Sequence, residues 1–550
     1  MNNHQITPLE VLPTPIQKEW ISRERSIFFH FGINTFTDKE WGDGTEDLSC
    51  FNPLTLDCRQ WIRIIKQAGF TAAILTAKHH DGFCLWPSKY TDFSIKNTPY
   101  KDGNGDIVKE FVDACNDYGI KPGFYISPWD RNSKLWGTPA YDEYYLNQLE
   151  ELLSNYGKIY ECWWDSAGSE STSYDFTKWR NLIKKLQPEC IIFGSGKASP
   201  YTDCRWTGNE NGFAENPCWS TVCNENLLKG NPDGTIFKPA EADVSMRPGW
   251  FYHDYQDKYS KTPEQLLYIW FNSCGKNATL LLNISPTKEG LICDIDAKNI
   301  LEFGNLMKRS FAVNLAYDAI ITSSSTNKHY SPYNMLIDDH SVFYVANEEN
   351  ITPEITFTLP CKKSINCFKL SENLDYGYRI RKYKVFACIE NQRKLIFQGE
   401  SVGFCSAEYF DPIETDEIIL CIEEAIASPI ITTFGIYHLE RMPQNSLTKY
   451  EDSNDLAQTG TISVEDNTIY INLGGIFAYN TIIFDSTGIE EFELYTYNGA
   501  RWDFEMRRSP SSAKEICHII DTTWSYQLKL VITKGSYSGN QVEVYYKSKS

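Results

Sequence analysis

Residues 57–82 read DCRQWIRIIKQAGFTAAILTAKHHDG, one helix followed by one strand. Trp61, Ile64, Ile65 and Ala68 fall at the three- and four-residue spacing of a helix face, and Gly69 stands where a helix C-terminus wants it. The short apolar run Ala72–Ala77 then reads as a strand, and it passes directly into Lys78-His79-His80-Asp81-Gly82. A helix followed by such a strand is a β/α unit, and what matters next is how often it recurs.

It recurs through the first ~310 residues. Apolar runs at Ser26–Phe31, Ala72–Ala77, Lys121–Ser127, Ile159–Trp164, Cys190–Gly194, Cys204–Thr207, Ala240–Val244 and Thr279–Ile284 predict eight strands. Helix-period segments lie at Asp57–Ala68, Asp106–Tyr118, Tyr141–Tyr156, Phe176–Leu186, Pro263–Ser273 and Asp294–Ser310. Eight strands alternating with helices over about 300 residues is what an α/β barrel of the (β/α)8, TIM type requires. The barrel is expected to be irregular between Asn209 and Pro239, where no long helix is written and an extended loop over the strand ends is expected.

After about Ala312 helical periods almost vanish. Alternating runs bounded by turn residues (Ser341–Ala346, Ile355–Leu359, Asn366–Leu370, Tyr383–Ile389, Glu417–Ile422, Thr432–His438) predict an all-β sandwich over 313–440. A polar linker at about 442–458 precedes a second stretch of the same texture, so 441–550 is expected to form a second sandwich. Thr468–Asn472 and Thr481–Asp485 are among its strands. The expectation is therefore a barrel domain over 1–312 and two sandwich domains.

The 550 residues carry a formal charge of −20, which leaves no basic stripe for nucleic acid or an anionic membrane as main partner. No apolar run reaches the ~20 residues of a membrane helix. The N-terminus has neither the basic nor the apolar region of a signal peptide, so a cytoplasmic protein is expected if the chain is native, and a secreted or periplasmic one if a leader was removed. Seventeen scattered cysteines read as free thiols in a reducing compartment. Oligomeric state is not legible. Aromatic residues make up 14% of the chain; most are expected to fill strand cores, Trp502 among them, and some to face a flat apolar ligand such as a sugar ring.

In a barrel of this type the active site sits at the C-terminal strand ends, so the residue on which each run stops carries the information. The fourth run, Ile159-Tyr160-Glu161-Cys162-Trp163-Trp164, ends on Asp165 and turns at once. Strand packing does not ask for that carboxylate. The first run ends at His30, the second at His79-His80, the third near Tyr125 and Trp129, and the sixth in Gly208-Asn209-Glu210. Strand seven holds Glu241 and Asp243 close to Arg247. Two readings compete. In one, His30, His79, His80 and Asp165 hold a metal that activates water. Against it, adjacent histidines at a strand end point to opposite sides, and there is no thiolate cluster. In the other, Asp165 is a nucleophile, a later Glu is the acid/base, and His, Tyr and Trp grip a polyol. A retaining glycosidase needs that arrangement, with its carboxyls about 5–5.5 Å apart. No cofactor and no metal are then expected.

These residues resemble glycoside hydrolase family 29, the retaining α-L-fucosidases. The resemblance is carried by Phe28-Phe29-His30-Phe31-Gly32, Glu40-Trp41, Thr76 to Phe83 (TAKHHDGF), Gly123-Phe124-Tyr125, Trp163-Trp164-Asp165, Asp243 to Trp250 (DVSMRPGW) and Leu280 to Pro286, in the family's order over about 20–300. It implies Asp165 as the nucleophile of a fucosyl-enzyme. His30, Trp41, His79, His80 and Tyr125 would bind fucose hydroxyls or flank the nucleophile, and Phe28 would pack on the C5 methyl. Glu40, Trp163, Arg247 and Trp250 complete the expected substrate-binding set. Arg205 to Gly212 (RWTGNENG) resembles the branch that cleaves α-1,3/1,4-linked fucose from branched, Lewis-type glycans, which makes Glu210 the implied acid/base and Glu241 the runner-up. A broader linkage range including α-1,2, or a glycan-binding protein without catalysis, are the alternatives, and the last sandwich (441–550) resembles galactose-binding-like or carbohydrate-binding modules in texture.

Overall fold

The computed structural model describes residues 6–165, 167–168, 172–223, 228–337, 339–446, 452–497, 502–539 and 541–547. Ser166, the first residue of the turn after the fourth run, and 447–451 of the expected linker lie outside the described residues.

The barrel half runs α1 (Pro15–Ile21), β1 (Arg25–Phe29), α2 (Ile33–Thr37), α3 (Cys58–Gln67), β2 (Ala72–Lys78), α4 (Ile107–Tyr118), β3 (Lys121–Ile126), α5 (Ala140–Asn155), β4 (Glu161–Trp164), α6 (Phe176–Leu186), β5 (Ile191–Gly194), β6 (Arg205–Trp206), β7 (Thr221–Val222), β8 (Ile236–Phe237), β9 (Ala240–Ser245), α7 (Pro263–Asn272), β10 (Ala278–Asn283) and α8 (Asp294–Ser310). Local chemistry sets the ends. Asp57 caps α3 through Arg59 N, Asp106 caps α4 through Lys109 N, and Thr262 and Gln265 form a capping box on α7. Helix α1 was not expected, although its capping box (Thr14, Gln17) and its Pro at the first turn are plain in the sequence.

Eight parallel strands pair in the order β5-β4-β3-β2-β1-β10-β9-β6. The ladder is open only between β5 and β6. Asp203 spans that seam, its amide donating to Ile192 O (2.8 Å) and its carboxylate accepting from Ile192 N (2.9 Å). The result is a nearly closed (β/α)8 barrel. Its irregularity falls where the sequence breaks period. A 3-10 turn (Gly196–Tyr201) replaces the helix after β5, and the small β7/β8 ribbon replaces the one after β6. Strand alternation divides the core. Ile27, Phe29 and Leu75 pack outward with Trp61 and Ile65 of α3, while Phe28, Ile74, Tyr125, Trp163 and Phe193 fill the barrel interior.

Two antiparallel sheets follow, as the sequence texture led one to expect. In the first, Glu354–Glu372 is one strand where two short ones were expected. Its register shifts between Thr358 and Lys363 take up the turn-like Pro360 segment as an irregularity inside the strand. The second sheet does the same: Thr468–Asp485 is continuous, with a register shift between Asn472 and Phe477 that spans Gly474 and Gly475. Each sheet closes on its own core, around Phe357, Phe368 and Phe434 in the first and around Phe484, Phe492 and Leu530 in the second.

Candidate active site

A cavity of about 450 Å³ opens at the C-terminal strand ends, lined by side chains from β1, β3, β4, β6 and β9 and from the segments that follow these strands and β2 and β5. Asp165 follows β4 directly. Its Oδ2 accepts from the Tyr125 hydroxyl (3.0 Å) and its Oδ1 from Ala167 N (2.9 Å). His80 Nε2 stands 3.5 Å from Oδ2. The turn after Asp165 depends on Gly168, which has φ +70° and whose added Cβ would sit 2.2 Å from the Trp129 indole.

The TAKHHDGF segment divides its labour. Lys78 points away from the pocket and is fully buried against Asp130 (3.0 Å) and Gln148 (2.9 Å). Asp81 accepts from Phe83 N (2.6 Å), and Gly82, at φ +89°, leaves room for the Asp130 carboxylate that a Cβ would meet at 2.2 Å. This frame presents both histidines. His79 and His80 line the same cavity with ring centroids 4.2 Å apart, which corrects the expectation that adjacent histidines diverge. Strand β2 ends at Lys78, so alternation no longer governs the two residues after it.

Burial keeps the three imidazoles neutral. It pulls His30 down to about 3 and His80 to about 4, and with its two histidine neighbours holds His79 well below the usual range. Their orientation is fixed from behind. His30 Nδ1 faces Asn283 Oδ1 (2.8 Å), while the Asn283 amide nitrogen donates to Trp250 O (2.8 Å) and to Ser245 (2.9 Å). Asn283 therefore offers His30 an acceptor, the imidazole proton sits on Nδ1, and Nε2 is left to accept from a ligand hydroxyl. Among the described residues no group of three or more His, Cys, Asp or Glu has the geometry to hold a metal ion.

Glu210 reaches the cavity from the loop after β6. Its side chain is exposed at the cavity mouth, yet the density of protein around it and the nearby Asp165 charge raise its pKa to about 7, against the Trp250 indole N–H that donates to Oε2 (3.2 Å). Water at the cavity mouth tempers that rise. Neither Arg205 nor Arg247 pairs with it: Arg205 donates to Trp219 O (2.7 Å), and Arg247 is spent on Asp296 (2.8 Å) and Asp257 (2.8 Å). Arg247 is thus not a lining residue, contrary to expectation; it ties the β9–α7 connection to α8. Glu241 does not line the cavity either. It is buried inside the barrel, accepts from Trp163 Nε1 (3.2 Å), and is pushed well above the usual carboxyl range by burial and by Glu161 beside it. One inward position further along β9, Asp243 does line the cavity and accepts from Trp206 Nε1 (2.6 Å). Asp243 was placed at the strand-seven rim by the sequence without a role, and Trp206 was not picked out as a site residue. The two-residue step from Glu241 was the signal available, because inward side chains of one strand stack in successive layers.

Phe28, Glu40, Trp41, Tyr125, Trp163 and Trp250 also line the cavity. Glu40 is clamped by Trp250 N (2.8 Å) and by His253 Nε2 (2.8 Å). Burial alone would lower His253, but Asp38 and Glu40 on its two nitrogens raise it to about 9. Neutral imidazoles, indole and phenyl rings, and a cluster of carboxyls describe a site for an uncharged polyhydroxylated ring.

Comparison with known proteins decides the family. The model of the α-L-fucosidase family matches residues 8–310. The chain belongs to the α-L-fucosidases. Alpha-L-fucosidase 1 of Arabidopsis thaliana is 37% identical to this fucosidase over 451 residues, covering 78% of this chain and 88% of the plant protein. A Ruminococcus gnavus fucosidase of glycoside hydrolase family 29, solved in complex with fucose, superposes with a TM-score of 0.74 at 30% identity, covering 82% of this chain and 98% of that one. A family 29 member from an unknown rumen bacterium matches along nearly the whole fucosidase, covering 98% of this chain and 100% of its own at a TM-score of 0.70 and 28% identity. The hydrolase is therefore a family 29 fucosidase whose cavity lies where its barrel strands end.

Proposed function

We propose that this fucosidase is an exo-acting, retaining enzyme that removes α-1,3/1,4-linked fucose from branched, Lewis-type oligosaccharides. Asp165 is the nucleophile and Glu210 the acid/base. The observation that carries the reading is the pair itself: Asp165 and Glu210 face one cavity, and the surrounding protein and the nearby Asp165 charge draw Glu210 up to about 7. A carboxyl that keeps its proton near neutrality suits a general acid. In the first step Asp165 attacks the anomeric carbon as Glu210 protonates the departing glycosidic oxygen, leaving fucose esterified to Asp165. In the second, Glu210, now a carboxylate, takes a proton from water as that water attacks the same carbon and the ester bond breaks. Two inversions retain configuration.

The remaining lining residues bind. His30 Nε2 accepts from a fucose hydroxyl, His79, His80 and Trp41 meet the others, and Phe28 offers an apolar face to the C5 methyl. The Tyr125 hydroxyl, held in its neutral form by burial and by Asp165, orients the nucleophile. Asp243 is also kept neutral by burial and by Glu210, which leaves its carboxyl able to donate a hydrogen bond. No cofactor enters these steps. Incubation with a Lewis-type trisaccharide and with 2′-fucosyllactose, followed by sugar analysis, tests the linkage. Release from the trisaccharide is expected; release from 2′-fucosyllactose alone would overturn the branch assignment, and release from neither would overturn hydrolysis.

A further inference from the structure

Strand Thr468–Asp485 of the last β-sheet carries a large bulge. Asn472 pairs with Gln527 and Phe477 with Ser525, so this strand advances five residues while its partner advances two. A bulge interrupts alternation and re-aims the side chains that follow it. Phe477 emerges half-buried and packs only in part on the sheet's own core. Its ring meets Tyr255 of the barrel half, with centroids 5.9 Å apart. Both rings border a cleft of about 390 Å³ between the last sheet and the 3-10 turn Asp254–Tyr259, which Tyr259, Asn454 and Tyr546 also line.

Tyr255 passes the contact on toward the fucose cavity. Its ring stacks on the His253 imidazole, with centroids 5.4 Å apart and 29° between planes. His253 is buried, which disfavours its charge, yet Asp38 (2.5 Å) and Glu40 (2.8 Å) on its two nitrogens hold it charged. An aromatic ring against a desolvated cation is attractive. Glu40 in turn accepts from Trp250 N (2.8 Å) and Phe251 N (3.3 Å), and both Glu40 and Trp250 line the cavity. Every link from Phe477 to Glu40 is therefore a direct contact, and the line ends on a carboxylate that faces the sugar site. That end point is what distinguishes it from plain packing between two halves of a chain.

We propose that Phe477 is a positioning residue for the sugar site: through Tyr255 it holds the His253 imidazole against Glu40, so the last β-sheet sets how firmly Glu40 binds a fucose hydroxyl. The proposal rests on the fucosidase reading of the cavity. It gives the bulge in Thr468–Asp485 a use, since an uninterrupted strand would keep its alternation and would not re-aim Phe477.

The test uses the full chain and a Lewis-type trisaccharide. Phe477→Ala is expected to raise KM about three- to tenfold, the range for loosening one hydrogen bond to a charged group. Its kcat should stay within about twofold, the split seen when ground state and transition state lose the same binding. Phe477→Tyr keeps the ring and should restore the wild-type KM. Phe477→Leu keeps apolar volume, and hence a melting temperature near wild type, but should still raise KM. Wild-type KM in both the alanine and leucine variants would overturn the proposal. A double-mutant cycle shows whether the effect travels through His253. In a His253→Gln background, Phe477→Ala should change KM by less than about twofold, within the scatter of additivity, whereas a full further increase would overturn the route. A ligand-free arm separates the proposal from the reading of the cavity. Hydrogen exchange read by mass spectrometry should show the peptide carrying the Trp250 and Phe251 amides, which donate to Glu40, exchanging faster in Phe477→Ala than in wild type. Unchanged exchange refutes the positioning role whatever the enzyme hydrolyses. Faster exchange in a protein that releases no fucose supports the contact line and removes only the fucosidase reading.

Discussion

Trp250→Phe isolates the one hydrogen bond that opposes the upward shift of Glu210. The indole N–H donates to Glu210 Oε2 at 3.2 Å and so favours the carboxylate. Phenylalanine keeps an aromatic ring against Phe28 and His30, which Trp250 meets at centroid distances of 6.3 and 5.0 Å, and removes only the donor. A hydrogen bond to a charged group contributes roughly 1.5–3 kcal/mol; at a solvent-open mouth about 1 kcal/mol is the better figure. At 1.36 kcal/mol per pH unit that is about 0.7 of a unit. The sign follows from the mechanism. In the proposed mechanism Glu210 acts in its protonated form, so the loss of a group that stabilises the carboxylate extends activity to higher pH. The alkaline limb of kcat/KM, expected near 7 in the wild type, should move up by about 0.7. The assay is initial-rate fucose release across pH 5–9 from a Lewis-type trisaccharide, whose departing sugar needs the proton. A limb that stays in place or moves down would refute the assignment of Glu210 as the titrating acid.

Three further outcomes follow from residues around the cavity. Glu241→Gln should leave kcat/KM within about threefold, because Glu241 lies beneath Trp163 and outside the cavity; a loss of a thousandfold or more that azide restores on an activated substrate would make it the acid/base instead. Its folded pKa is raised, so in the wild type the stability it contributes is present below its unfolded value near 4.5 and is lost as pH rises toward the folded value. The glutamine variant should therefore melt at an equal or higher temperature at pH 8. His253 is raised from 6.5 to about 9, so the stability it contributes is complete below 6.5 and lost as pH climbs through 9. Melting curves of wild type and His253→Gln should converge over that window, and the variant, with Glu40 less firmly held, should show a higher KM at pH 6.5; parallel curves would contradict the pairing. Gly168→Ala forces a side chain into a left-handed backbone and onto Trp129. A cost of about 1–3 kcal/mol is expected, read as a lower melting temperature with reduced kcat; a neutral effect would mean that the turn after Asp165 does not depend on this glycine.

The barrel was legible because its signals are local and repeated. Helix faces, glycine stops and apolar runs recur, and Asp165 stands out by breaking the rule of the strand before it. What sequence reading missed depends on side-chain direction after an element ends. His79 and His80 were assigned opposite faces by a rule that lapses at Lys78. Arg247 looked like a ligand group because it sits among aromatic and carboxyl residues, yet its partners Asp257 and Asp296 are distant enough in sequence to be invisible from there. Glu241 and Asp243 share a strand face, and only depth within the barrel separates a buried carboxyl from one lining the cavity. In the β-sheets, Pro360 and the Gly474-Gly475 pair read as turns, while the long strands absorb them as register shifts. Trp502, expected in a core, lies half-exposed beside Tyr470 and Tyr497.

The claim on which the account turns is that Asp165 becomes covalently bonded to the sugar. A 2-deoxy-2-fluoro-fucosyl fluoride slows the second step more than the first, so the intermediate accumulates and can be located by peptide mass spectrometry. The label is expected on the peptide carrying Asp165, and absent from Asp165→Ala protein treated in the same way. Label on Glu210, Asp243 or a histidine, or full turnover with no covalent adduct and an inverted first product, would contradict it.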